Sequence, residues 1–417
     1  MSFLARLRSW VSFGRAVYGY QIDSPQAVSP PCDMDALVNA YAGWIYVCAS
    51  KNAGRVASQP LKLYATTSPG QSALKCASRK ITDRRELQHV KQALPVNRKQ
   101  ANVDEVLDHP ALDLLNYVNE LQGRFELFEL TELDLELTGN AYWWLSSRNN
   151  LGVPSEILLL PPHLVKIELS GTKLIKAYVL GSGTAGEKQI PADDVIHFRF
   201  PDPSGSVYGF APAKAAWGSI LDYRAAQAYE RALNNNSGTP SLFIKYSGVV
   251  EKAELARIAA DWNRQLKGIN KSGRVFVGDS KFDVQPVGLS PREMSFREGR
   301  RVYRNEIAAC FGIPEDILST ENSNRSTAET ANRVYEQFTV KPRLTRISDK
   351  LNERLAPLYD ERIFFAYDEN VPEDSAGKLA EVVGLHKEGI LLTNEARAMY
   401  DLPPLKQEEQ KPEEPPE

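Results

Sequence analysis

The 417-residue chain sets 50 Lys and Arg against 53 Asp and Glu, a formal net charge of −3, with 42% apolar and 25% charged residues. That balance suits a globular protein of two or three domains and argues against one that grips nucleic acid tightly, which needs a basic surplus. Four scattered cysteines (Cys32, Cys48, Cys76 and Cys310) at no metal or redox spacing point to a reducing compartment without a disulfide framework, and no run approaches the ~20 apolar residues that cross a bilayer.

In chain order, residues 1–35 read as an arm and a Pro/Ser-rich linker, without the uninterrupted apolar run of a signal peptide. Leu37, Ala40, Trp44, Val47 and Val56 recur at helical spacing up to Pro60, and "LKLY" then reads as a strand. Residues 66–108 show no apolar face and read as an exposed insertion. The segment "GRFELFELTELDLELTG" predicts a helix burying Phe125, Phe128, Leu130, Leu133 and Leu137 and ending at Gly139. Its carboxylates Glu132, Asp134 and Glu136 read as a solvated face. Five strands follow, "NAYWWLS", "SEILLLP", "HLVKIEL", "KAYVL" and "VIHFRF", an antiparallel meander with a helical layer.

Two long helices then flank a small α/β module. The first is Ala-rich, with Pro212 in its first turn and Trp217, Leu221, Ala225, Ala228 and Tyr229 on one face. The module spans about 239–289: strand "SLFIKY", a helix, and the pair "GRVFV" and "FDVQPV". The second long helix opens on a capping box, Ser290 with Glu293, and ends at Gly312 and Pro314. After a polar loop, Ser326 with Glu329 caps a third helix. Its stripe runs through Val334, Phe338, Leu344, Ile347, Leu351 and Leu355, with a kink expected at Pro342. "RIFFAYDE" is a strand, two short helices surround Gly389, and the tail is acidic and Pro-rich.

Catalytic signals are sparse. None of the five histidines forms a metal pair, and neither a P-loop nor a nucleophile elbow is present. The best enzyme-like cluster, Asp193, Asp194 and His197, supports the alternative of a metal-dependent DNA-processing enzyme. Asp194 and His197 are three apart on an apparent strand, however, and face opposite sides. Arg297, Arg300, Arg301 and Arg304 form a basic stripe suited to ion pairing with another helix or subunit, or to DNA.

Seven motifs in order resemble the portal, or head–tail connector, proteins of tailed double-stranded DNA bacteriophages. They are "YVCASKNAGRVASQPLKLY", "HPALDLLN", "LTGNAYWWL", "LPPHLVKI", "DDVIHFRFPDPSGSVYGFAPAKAA", "NNNSGTPSLFI" and "RNEIAACFGIPEDIL". The 66–108 insertion is long for that family. The resemblance implies a non-enzymatic α+β portal fold, without cofactor or metal, assembled as a ring, usually a dodecamer, around a channel for double-stranded DNA; besides the enzyme, the alternative is a capsid structural or adaptor protein without a DNA channel. Its implied divisions are a wing (36–205), stem helices (206–237 and 290–312), a clip (238–289), a tunnel loop (313–326), a long kinked wing helix and strand (327–373), a helical crown (374–403) and a disordered tail (404–417). The implied partners are the terminase large subunit, major capsid and scaffold proteins and head–tail adaptor proteins, with no membrane. The implied location is a virion vertex, after assembly in the bacterial host cytoplasm. The implied sites are Glu321, Asn322, Asn324, Arg325 and Ser326 in the tunnel loop, the four stem arginines, and Lys245, Glu251, Lys252, Arg257 and Arg264 in the clip.

Overall fold

A computed structural model describes residues 27–28, 34–67, 76–81, 84–92, 94, 102–150, 152–170, 174–183, 186–235, 242–246, 253, 256–257, 260, 282–286, 296–318, 325–368 and 382–398. Two compact units divide the chain, residues 1–370 and 371–417.

The first unit begins with β1 (Ala27–Val28), α1 (Met34–Asn39) and α2 (Trp44–Ala57). The single helix expected here is broken at Gly43, whose φ of 60° is open to glycine at little cost. The break rotates the buried stripe onto Ile45, Cys48, Ala49, Asn52 and Val56, leaving Val47 exposed. β2 (Leu61–Thr67) follows as expected.

The 66–108 segment departs from its reading as an exposed insertion. It contributes β3 (Ser78–Lys80), α3 (Arg84–Gln92) and β4 (Asn102–Val106). Val90, Leu94 and Val103 form a small core with Tyr64 and Phe364. Next come α4 (Pro110–Asn116) and α5 (Arg124–Thr138), the latter ending at Gly139 in the left-handed conformation (φ 76°). A Cβ there would lie 2.7 Å from the Gly209 backbone, so neither conformation nor space admits a side chain. Phe125 is half exposed, whereas Leu127, Phe128, Thr131 and Leu135 are buried.

The meander comprises β5 (Asn140–Arg148), β6 (Pro154–Leu160), β7 (Val165–Leu169), β8 (Ile175–Leu180), β9 (Lys188–Pro191) and β10 (Val195–Arg199). It is antiparallel throughout, but it divides into two sheets, β10-β5-β6 and β1-β7-β8-β9. Trp143 and Phe198 face α5 in the main core, while Tyr142, Ile167 and Tyr178 build a second one.

α6 (Pro212–Ala215) and α7 (Trp217–Asn235) lead to β11 (Leu242–Tyr246), which pairs antiparallel with β12 (Phe282–Pro286). On α7 it is Ile220 that is buried and Leu221 that is exposed, one position off the expected face. The strand expected at "GRVFV" and the Ser290/Glu293 cap lie outside the described residues. The return helix is α8 (Phe296–Cys310), followed by the short α9 (Glu315–Leu318).

α10 (Arg325–Tyr335) begins one residue before its expected cap, Ser326. It runs through a π-helical turn, Glu336–Val340, into α11 (Lys341–Arg354), which carries Pro342 in its first turn. The irregularity therefore precedes the proline, which spares Pro342 an interior position. Leu344, Ile347, Leu351 and Leu355 are buried as expected, but Val334 and Phe338 are exposed. β13 (Ile363–Tyr367), buried at every position, closes a four-stranded sheet of order β13-β2-β4-β3.

The second unit shows two short helices, 382–387 as α12 and Thr393–Ala398 as α13, around Gly389 (φ 72°). Thr393 is the first helical residue rather than the cap, and the Leu392 amide donates to Glu395 at 3.0 Å.

Candidate functional site

α7 and α8 lie antiparallel. Ser219 donates to Glu306 at 2.7 Å, and further along Arg300 pairs with Glu230 at 3.1 Å. Past α8 the chain turns at Gly312 (φ 74°), where a Cβ would lie 2.8 Å from Thr339 Oγ1. The Gly312 amide donates to Ala309 O (3.0 Å) and the Ile313 amide to Ala308 O (2.9 Å). This is the Schellman pattern that the expected glycine stop requires. Two layers of polar contacts then fix the root of the loop.

The outer layer is the basic stripe. Arg301 and Arg304 reach Glu315 Oε1 at 2.9 and 3.0 Å, and Asn305 donates to its Oε2 at 2.9 Å. One carboxylate on α9 thereby ties the start of the loop to the last turns of α8. Arg304 also lies over the Trp44 ring, 5.5 Å from its centre. Of Arg297 only the helical backbone is described.

The inner layer is buried. Asn52 donates to Glu136 (2.9 Å) and to the Phe311 carbonyl (3.0 Å), and accepts from Tyr335 OH (2.8 Å). Arg343 Nε lies 2.7 Å from Glu136 Oε1 and 2.9 Å from Glu132 Oε1. Its Nη2 donates to the same Phe311 carbonyl at 3.2 Å, and its Nη1 to Thr339 O at 2.9 Å. Beside it, Arg55 pairs with the buried Glu336. The Phe311 carbonyl at the exit of α8 thus accepts from both α2 and α11, whose donors share Glu136 of α5.

Glu132 and Glu136 are fully buried, which overturns their reading as a solvated face. They share a stripe with Phe128, four and eight residues back, and that i, i+4 alignment with a core aromatic is the signal that would have placed them inside. Asn52 and Arg343, missed from the sequence, carry no local signal because the carboxylate they share, Glu136, lies 84 and 207 residues from them. Burial, then the charge of Glu136, pushes the Glu132 carboxyl up to about 8, with Arg343 and Arg346 opposing. Two carboxylates facing one guanidinium in a dry site favour one proton kept on the pair. Burial likewise pushes the Cys48 thiol up to about 12.

Other expected residues fall as follows. Glu321, Asn322 and Asn324 lie outside the described residues, while Arg325 and Ser326 open α10 rather than ending the loop. Lys245 stands opposite Asp283 in the β11–β12 register. Arg257 is helical and exposed, and Glu251, Lys252 and Arg264 lie outside the described residues. Asp194 is held by Arg148 at 2.6 Å. His197 is buried against Tyr142 and bonded to Asn140 Oδ1 at 3.1 Å, and burial drives its pKa down to about 3. The three therefore assemble no proton-transfer site, and among the described residues no cluster of three or more His, Cys, Asp or Glu has metal-binding geometry.

An antiparallel helix pair thus precedes and follows the β11–β12 strand pair in the chain, and its return helix ends on a buried polar node. The family model described as phage portal protein matches residues 89–401. The chain belongs to the phage portal protein family. That family is structural rather than enzymatic. The chain is 27% identical over 326 residues to the probable portal protein of Streptomyces phage phiC31, covering 74% of this chain and 69% of that one. It is 24% identical over 317 residues to the portal protein of Enterobacteria phage HK97, covering 74% and 72%. Among solved structures, the neck of a native gene transfer agent particle computed with C12 symmetry matches with a TM-score of 0.63 at 23% identity, covering 94% of this portal chain and all of that one. The mixed α+β architecture is thus the portal fold. None of its described helices is long and apolar enough to cross a membrane.

Proposed function

We propose that the chain forms a ring, of twelve subunits as the C12 symmetry of the gene transfer agent neck suggests, at one vertex of a phage-type particle. Double-stranded DNA is packaged through its channel by the terminase motor and later leaves by the same route. The ring nucleates procapsid assembly in the host cytoplasm with scaffold and major capsid proteins, and it connects head to tail through adaptor proteins.

The observation that carries this reading is the antiparallel α7–α8 pair, joined at both ends by side-chain contacts, with the β11–β12 strand pair between its two helices in the chain. In the proposed assignment α7 and α8 are the stem and the module between them is the clip, with Lys245, Glu251, Lys252, Arg257 and Arg264 facing the motor or adaptor. Residues 313–326 are the tunnel loop, held at its root by Glu315 and the Arg343 node. Residues 36–205 and 327–373 make the wing, and 374–403 the crown. The stem arginines face a neighbour or DNA only where they are not spent on Glu230 and Glu315. A total charge of −3 fits a conduit, since each phosphate gripped must be released as DNA slides.

Electron microscopy of the purified protein tests the proposal. Rings with an axial hole are expected. Their absence under every assembly condition, including with scaffold protein present, overturns it.

A further inference from the structure

The turn between α4 and α5 is rigid yet presents an apolar tip to solvent. The Asn119 side chain is fully used in building it. Its Oδ1 accepts from the Leu121 and Gln122 amides, both at 2.9 Å, and its Nδ2 donates to Ile157 O at 2.9 Å and to Gln122 Oε1 at 3.1 Å. Tyr117 and Gly123 close the turn through a β-bridge. Buried Val118 pins it to β6 by accepting from the Ile157 amide at 3.1 Å. On this frame Leu121 is 90% exposed and Tyr117 82%.

A complementary surface lies elsewhere on the same unit. A groove of about 320 Å³ opens between α2, α7 and the end of α8, lined by Trp44, Val47, Ile220, Tyr223, Arg224 and Ile307. Exposed Tyr46 and Leu221 belong to the same two helices. The charges match as well. Glu120, next to Leu121 on the tip, and Arg224, on the groove, are both exposed, and neither has an ion-pair partner among the described residues.

Placement decides the occupant. Arg124, just after the tip, donates to the Gln59 and Leu61 carbonyls at 3.3 and 3.5 Å, so the tip stands at the C-terminal end of α2. The groove includes Trp44, the first residue of α2. The 14 residues of α2 separate the two by ~21 Å. Tip and groove therefore sit at opposite ends of one helix and cannot meet within a chain. Two different, complementary patches on one subunit generate a head-to-tail contact, which closes into a ring when the rotation allows.

We propose that Leu121 and Tyr117 of one subunit seat in the α2/α7/α8 groove of the next, with Glu120 meeting the Arg224 there. The proposal rests on the ring reading and specifies the faces that join.

The test is a chain in which the exposed Cys310 is replaced by Ser and which carries both Leu121→Cys and Val47→Cys. Oxidation is expected to give a ladder of covalent oligomers that neither single variant gives, because the two sites are too far apart to bridge within one subunit. Separately, Glu120→Arg is expected to weaken assembly at least about tenfold, as a like-charge contact should. Adding Arg224→Glu to it is expected to restore assembly. Both residues are exposed, so these variants keep the fold, which circular dichroism checks. Wild-type rings with no ladder, and no loss from Glu120→Arg, overturn this contact and leave the ring reading standing. A wild-type protein that never forms rings or head-to-tail oligomers removes both.

Discussion

Two ion-pair clusters brace the same turn from opposite sides, and their difference lies in water. The Arg343–Glu132–Glu136 node is closed off from solvent, with its guanidinium spanning two carboxylates and two carbonyls. The Arg301–Arg304–Glu315 cluster performs similar geometry at the surface, with Arg301 well exposed. In the dry node the pairing compensates a large desolvation cost, so losing one partner strands the others. At the surface, solvent replaces whatever is lost. The first cluster therefore determines whether the turn exists at all, and the second where its outer end rests.

The strongest way to break this contrast is Arg343→Met. It leaves two buried carboxylates and the Phe311 carbonyl without their shared donor. A loss of about 3–5 kcal/mol is expected, the usual result of removing one partner from a buried pair, read by chemical denaturation. A loss below about 1 kcal/mol, the surface range, would abolish the distinction between the clusters.

The node also titrates, and its sign can be separated from that of His197. The Glu132–Glu136 pair keeps one proton, with burial and then the charge of Glu136 raising the Glu132 carboxyl from 4.5 to about 8. Between those values the folded chain holds a proton that the unfolded chain has released. Its stabilising contribution is complete below 4.5 and is lost as pH rises through 8. His197 runs the other way. Burial lowers it from 6.5 to about 3, so its contribution is present above 6.5 and lost as pH falls toward 3. The two slopes oppose each other from 4.5 to 6.5, and from 6.5 to 8 only that of Glu132 remains. Stability is expected to fall across that upper window, and Glu132→Gln, the neutral mimic, to flatten the fall. An unchanged slope in the variant would place the proton elsewhere.

How far the sequence anticipated this architecture depends on the range of the interaction involved. The stops at Gly139 and Gly312, the meander strands and the apolar stripe of α11 are local: spacing and backbone chemistry are written within ten residues of each. The sheet role of 66–108 is not, because "NVDEV" is too short to show alternation and its partner β2 lies some forty residues earlier. The break at Gly43 was hidden by apolar residues that continue across it. Glu132 and Glu136 looked solvated because Asp134 between them completes a polar fan, and Arg343 lies 207 residues beyond Glu136. The order of motifs identified the family from the sequence. The node that braces its loop is made of contacts no single motif contains.

The smallest expected effect is the most informative about function. Glu315→Gln keeps the shape and hydrogen-bonding capacity of the side chain but removes the charge that Arg301 and Arg304 share. Global stability should change by less than about 1 kcal/mol, because these groups are partly solvated. Local protection should change more. α9 is a single turn with no buried residue, and a turn of that length holds only through its tethers. Hydrogen exchange at Ile317, whose amide donates to Pro314 O at 3.1 Å, is expected to speed up, while exchange at Ile313, on the Gly312 turn, stays slow. If both amides speed up together, the outer cluster carries the turn as well, and the division between a buried root and a surface tether is wrong.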